Sequence, residues 1–275
     1  MRLAFLFACA TLSAQTPIGV TAPGRGVNFY SIEKEKLLGA QLATEYRRQT
    51  RVFDAPSVNA YLDELGQRLA AQSPATGFTY SFELVDDDQT WIHEATAFPG
   101  GPVFVPASLI LAAADEDELA AMLTHAIAHI ATRQGTRQMT RVQIFNQSAI
   151  PLIYMGGSTG YAIRQGSVLL PIAFLTFQRK SELESDQLAV RILSAAGYDP
   201  QALERYIERV QPADTPLRNA MAPYPDKDKR LAALQAAIQQ LPPASYSAHP
   251  GLDAIHQEVT RLTARPARTP PRLAR

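Results

Sequence analysis

His125 and His129 stand four residues apart in Leu123-Thr124-His125-Ala126-Ile127-Ala128-His129. On an α-helix that spacing projects both imidazoles the same way, near enough to share one metal ion. A catalytic zinc takes three protein ligands and keeps a fourth position open. Glu182, within Glu182-Leu183-Glu184-Ser185-Asp186 on a later helix, can complete a His-His-Glu set. Asp186, one turn beyond Glu182, can accept from the far nitrogen of a ligand histidine and so hold its orientation. The same residues also read as ordinary helix faces, the histidines in core or surface and the two acids solvated.

In the H-E-x-x-H pattern of zinc hydrolases, the residue after the first histidine is a glutamate that activates the metal-bound water. Ala126 occupies that position here. The spacing therefore points to a metal site while removing the expected general base, a loss of ~10² to 10⁴ in rate. In barrier height that is roughly 3 to 5.5 kcal/mol. His93 and Glu94 are the remaining polar candidates near the site, and both read as exposed strand-end residues; a carboxylate such as Glu94 is the route to a substitute base. The single cysteine, Cys9, lies in the N-terminal apolar run, so a thiolate metal site is excluded from the rest of the chain.

The elements that must position these residues are legible as capped, amphipathic segments. Ser31 caps a helix to about Arg48, with Leu37, Leu38 and Leu42 on one face. Pro56 opens a second helix, ending near Gln72. Residues 80–85 alternate as a strand, closed by Asp86-Asp87-Asp88. A Pro99-Gly100-Gly101 turn before Val103-Phe104-Val105 predicts a short hairpin. Asp115 and Glu118 form a capping box for the histidine helix, with Gly135 just past its end. Gly156-Gly157 and Gly160 mark a flexible connection. A long helix over about 167–195, kinked at Pro171, carries Glu182 and Asp186 and stops at Gly197. Helices near 201–210, 227–240 and 252–263 follow.

Composition bounds the rest. At 275 residues and 46% apolar, 19% charged, the chain is globular with room for a substantial core. Twenty-six basic and 26 acidic residues cancel, which argues against a nucleic-acid binder. Residues 1–14 read as an export signal: Arg2, then apolar Leu3 to Leu12, then Leu12-Ser13-Ala14. A lipoprotein anchor through Cys9 is the secondary reading. Residues 15–30 read as a linker, 31–240 as the main domain, and 241–275 as a Pro/Arg-rich tail with one short helix. No later apolar run reaches the length of a transmembrane helix.

Four motifs in order resemble the zinc metalloendopeptidase family of the CAAX prenyl endopeptidase, HtpX and BepA. Besides His125-x-x-x-His129, Arg179-Lys180-Ser181-Glu182-Leu183-Glu184-Ser185-Asp186 is similar to that family's R-x-x-E-x-E-A-D. Ala97-Phe98-Pro99-Gly100-Gly101 with Val103-Phe104-Val105 resembles its hairpin before the active helix, and Ala195-Ala196-Gly197-Tyr198-Asp199-Pro200 also fits. The resemblance covers roughly residues 31–240. It implies zinc at His125, His129 and Glu182, support from Asp186 and Arg179, and an extended peptide pairing along Gly100, Gly101, Val103, Phe104 and Val105. Tyr224-Pro225 and Gln134 stand where histidines are common in relatives.

The expected protein is thus α+β and mostly helical, a zincin-like metallopeptidase fold with a small sheet beside the active helix. Its expected partners are extended or unfolded polypeptides, and envelope assembly machinery. The expected setting is the periplasm, with proteolysis weakened or lost through Ala126; the alternative is an active zinc metalloendopeptidase with a substitute base.

Overall fold

The computed structural model describes residues 26–86, 93–153, 178–212, 224–249 and 251–264, with backbone alone over 145–153. The long helix expected from 167 is therefore described only from 178, and the Gly156–Gly160 connection and Asp87-Asp88 turn lie outside the described residues.

Helix α1 (Ile32–Gln49) starts at Ser31, whose side chain accepts from Lys34 N at 3.3 Å, and ends on Arg47 and Arg48. Acids in its first turn and arginines in its last complement the helix dipole. Strand β1 (Arg51–Val52) leads to α2 (Pro56–Ala70), where Pro56 fills a position with no intrahelical N–H to lose. Helix α2 buries Val58, Leu62, Leu65 and Leu69, the one-face spacing of an amphipathic helix.

Strand β2 (Ser81–Asp86) alternates exposed Ser81 with buried Phe82 and Leu84. Strands β3 (Thr96–Ala97) and β4 (Pro102–Pro106) form the expected antiparallel hairpin. Its turn needs glycine: Gly100 has φ 86° and Gly101 φ 135°, and a Cβ on Gly101 would lie 1.9 Å from Thr79 O. The sheet order is β1-β2-β4-β3, with β2 and β4 parallel and paired Ser81↔Pro102 through Val85↔Pro106.

The short α3 (Ala107–Ala112) precedes α4 (Glu116–Ala131), the buried central helix. Asp115 Oδ1 accepts from Glu118 N at 2.8 Å, but the Glu118 carboxylate reaches back to Ala114 N rather than Asp115 N. Helix α4 ends at Thr132, and the left-handed residue that follows is Arg133 (φ 57°), not Gly135. Gly135 instead lies in the first turn of α5 (Gln134–Ile153), a helix absent from the sequence expectation.

The Glu182 helix, α6, covers residues 178–195. It is followed by α7 (Gln201–Val210), α8 (Lys227–Gln239) and α9 (Leu252–Thr263). Leu252 and Val259 of α9 belong to the same apolar core as Leu123, Ile127 and Leu193. Helix α9, within the expected tail, packs against α3 and α2. The architecture is mostly helical with a small mixed sheet, as expected.

Candidate metal centre

Helix α4 brings His125 and His129 to one point, and α6 brings Glu182 to the same point. The two Nε2 atoms are 2.8 Å apart, and Glu182 Oε2 lies 3.3 Å from His125 Nε2 and 3.4 Å from His129 Nε2. Neighbouring ligands of a tetrahedral zinc with bonds of about 2.0–2.1 Å are separated by roughly 3.3 Å, so two of these three spacings match. Glu182 Oε2 is buried and faces both imidazole nitrogens. A lone acceptor set between two imidazole nitrogens is a donor set suited to a cation. Among the described residues, this trio is the cluster with metal-binding geometry. A zinc ion held there supplies Lewis acidity toward a carbonyl and lowers the pKa of a bound water.

Each histidine is fixed from behind. His125 Nδ1 is 2.9 Å from Asp186 Oδ1, as the i, i+4 spacing from Glu182 predicts. Asp186 in turn accepts two bonds from the buried guanidinium of Arg230 on α8: Nε at 2.7 Å and Nη2 at 3.0 Å. His129 Nδ1 meets Gln134 Oε1, and Gln134 Nε2 donates to Ser181 O and, at 2.8 Å, to Ser185 Oγ. In both cases an acceptor at Nδ1 calls for the proton there, which leaves the Nε2 lone pair for the centre. Arg179 lies on α6 beside these residues, half-buried.

The charges reinforce one another. Burial works against a charged His125, but hydrogen bonds to Asp186 and Glu182 outweigh it and push its pKa up to about 10. Burial would raise Glu182, and the two histidines overcome it, holding the carboxyl well below its usual range. Asp186 is likewise held low against burial, chiefly by Arg230. Arg230 is fully buried, and the carboxylates of Asp186, Glu94 and Glu182 keep it firmly protonated.

The cluster opens on a cleft of about 330 Å³, walled by Ala95, Ala97, Phe98, Gln138, Gln178 and Tyr224 among others. Glu94 corrects an expectation: it is a cleft residue, not an exposed strand end, with Oε1 3.7 Å from Arg230 Nη1. The Tyr224 hydroxyl bonds Glu94, and burial together with Glu94 and Glu182 raises its pKa, so it stays protonated. The residue after His125 is Ala126, 2% exposed in the apolar core.

The peptide edge is the second correction. Val103, Phe104 and Val105 do not form an open edge, because β4 lies between β2 and β3. The Phe104 ring is buried against Tyr46 (centroids 4.7 Å apart) and Phe98 (5.8 Å), and Gly100 and Gly101 are buried in the turn. The outer edge is β3, which has no further strand beside it among the described residues and whose Ala97 faces the cleft.

Sequence reasoning missed Arg230 and passed over Gln134 as a lost histidine. Arg230 had one signal: it shares a helix face with Leu234, four residues on, and both are buried.

The model of peptidase family M48 matches residues 56–238, which include every residue of this centre. The chain belongs to peptidase family M48. That family is one of metallopeptidases, generally zinc-dependent, and the mostly helical zincin-like fold accords with it. The chain is 27% identical over 237 residues to the beta-barrel assembly-enhancing protease of Yersinia pestis, covering 78% of this chain and 46% of that one. The protein of the same name from Escherichia coli K12 is 25% identical over 226 residues, 73% of this chain and 45% of its own. The mitochondrial metalloendopeptidase OMA1 of Schizosaccharomyces pombe is 27% identical over 220 residues, 77% and 63%. The chain thus spans about half the length of the assembly-enhancing proteases it matches.

Proposed function

We propose that this M48 protein binds zinc through His125, His129 and Glu182 and engages extended or unfolded envelope polypeptides, with peptide hydrolysis weak or lost. The observation that carries the reading is Ala126, sealed in apolar surroundings beside a converged ligand trio. The metal-holding half of the machinery is kept and the water-activating half is not. Asp186 and Gln134 orient the histidines, and Arg230 neutralises Asp186. The β3 edge beside the trio suits a peptide added as a further strand. The names of the bacterial relatives favour envelope polypeptides as the clients, and residues 1–14 favour export to the periplasm; a lipid anchor at Cys9 is the variant of that localisation. No helix of the described residues is long and apolar enough to cross a membrane. In this reading residues 15–30 link the leader to the domain of 31–240.

A second reading, an active endopeptidase, is favoured by one observation: Glu94 puts a carboxylate in the cleft with Tyr224 as a proton donor beside it.

A casein-cleavage assay on zinc-loaded protein separates the two. The expected outcome is little activity in the parent and a gain of ~10²-fold in Ala126→Glu, abolished again by adding Glu182→Ala. Strong zinc-dependent cleavage by the parent that Glu94→Gln removes establishes the second reading instead.

A further inference from the structure

Helices α5 and α6 meet through amides and hydroxyls. Gln134 and Gln138 stand one turn apart on α5, and Gln178, Ser181 and Ser185 share one face of α6. Gln134 ties the two helices together: its Nε2 donates to Ser181 O and, at 2.8 Å, to Ser185 Oγ, while its Oε1 meets His129. Gln134 is thus fully engaged in supporting the metal centre. The next polar groups along the same faces are not. Ser181 is 4% exposed, yet its Oγ has no hydrogen-bond partner among the described residues, and neither has the buried Oε1 of Gln138. Both residues line the cleft, as does Gln178.

A buried polar atom without a partner destabilises a fold, and native chains keep few of them. Two at the wall of one cleft, one of them on the residue before Glu182, point to a partner that enters from outside. Both sit on side chains that turn about single bonds, so a ligand seated in the cleft can draw them out without moving the helices. The wall is neutral, and the ion pair that also lines the cleft, Arg133 with Glu35 at 2.9 Å, is closed on itself. The partner that fits an amide and a hydroxyl is neutral and carries both donors and acceptors, as a peptide backbone does. An extended chain presents N–H and C=O groups along both of its edges, and β3 can pair with one edge only. The other edge, if left bare in the cleft, would lose its hydrogen bonds to water without replacement.

We propose that Gln138 and Ser181 bind the backbone of an extended polypeptide on the edge that β3 leaves free. Gln138 Oε1 accepts from a peptide N–H, and Ser181 Oγ donates to a peptide C=O. These contacts read backbone rather than side chains, so the cleft takes many sequences but rejects folded proteins, whose backbone groups are already paired. The inference deepens the functional reading above and rests on it for the class of ligand, but it needs no hydrolysis.

Fluorescence anisotropy tests it, with the zinc-loaded full chain titrated into fluorescein-labelled, reduced and carboxymethylated α-lactalbumin, a permanently unfolded polypeptide. The parent binds this probe, and native α-lactalbumin does not compete. Gln138→Leu with Ser181→Ala lowers affinity roughly tenfold or more, as the loss of two hydrogen bonds requires, and each single substitution gives part of the loss. Zinc content stays at the parent's level, and the melting temperature is unchanged or higher, because the substitutions remove polar atoms that have no partner in the fold. A parent that does not bind the unfolded probe overturns the functional reading and this inference together. A parent that binds it no better than the zinc-loaded double variant overturns this inference alone. A melting temperature lowered by Ser181→Ala, or affinity lost only along with the zinc, gives these groups a structural role and overturns it as well.

Discussion

Arg230 grips Asp186 with two hydrogen bonds, 2.7 and 3.0 Å, where neither side chain reaches solvent. The pair joins α8 to α6, and through Asp186 it reaches His125 on α4. Its value lies less in net attraction than in what its loss leaves behind. Removing one member of a buried pair strands the other charge, at a cost of about 3–5 kcal/mol. Arg230→Met should therefore lower unfolding free energy by about that amount in urea titration. Arg230→Lys should fall short of full recovery, since an ammonium cannot form the two-pronged bond. A loss under about 1 kcal/mol would show the pair to be solvated and replaceable.

The high pKa of His125 fixes a pH dependence with two opposite signs. Raised to about 10 from its ordinary 6.5, the protonated ring stabilises the chelated, metal-stripped protein fully below pH 6.5. That contribution fades as pH climbs through 10. Zinc requires the neutral ring, so zinc affinity rises over the same interval as the proton is displaced. Melting scans of chelated protein and zinc competition titrations at successive pH values check both. Affinity flat with pH would mean that His125 carries no proton for zinc to expel.

Gln134 links the outer nitrogen of His129 to the backbone and hydroxyl of α6, so it aligns two ligand-bearing helices at once. Gln134→Ala should weaken zinc binding by roughly 10- to 100-fold, the usual range for a partner behind a ligand. A fluorescent chelator in competition with the protein measures it. Gln134→Glu keeps an acceptor for His129 but loses the donor to Ser181 and Ser185, so its loss should be partial. Unchanged affinity in the alanine variant would leave His129 oriented by the helix alone.

Much of the fold was legible because it is locally encoded. Ser31, Pro56 and Asp115 announce helix starts, and helical spacing pairs His125 with His129 and Glu182 with Asp186, while the resemblance to the metalloendopeptidase family is what brings the two pairs to one site. What was missed depends on residues far apart in sequence. Helix α5 was hidden because Gly135 resembles a helix end, while Arg133 takes the left-handed turn. The parallel pairing of β2 with β4 buries the strand expected to be open, and no local pattern signals a parallel neighbour. Glu94 looked exposed because its partners, Tyr224 and Arg230, come from the far end of the domain.

The metal content of the purified protein tests the central claim most directly. Elemental analysis after exposure to zinc and gel filtration, without chelator, should find one zinc per chain in the parent. His129→Ala should find none while keeping the parent's circular dichroism. A parent without zinc, or a His129→Ala variant that keeps a full equivalent, would contradict the assignment of the metal to His125, His129 and Glu182.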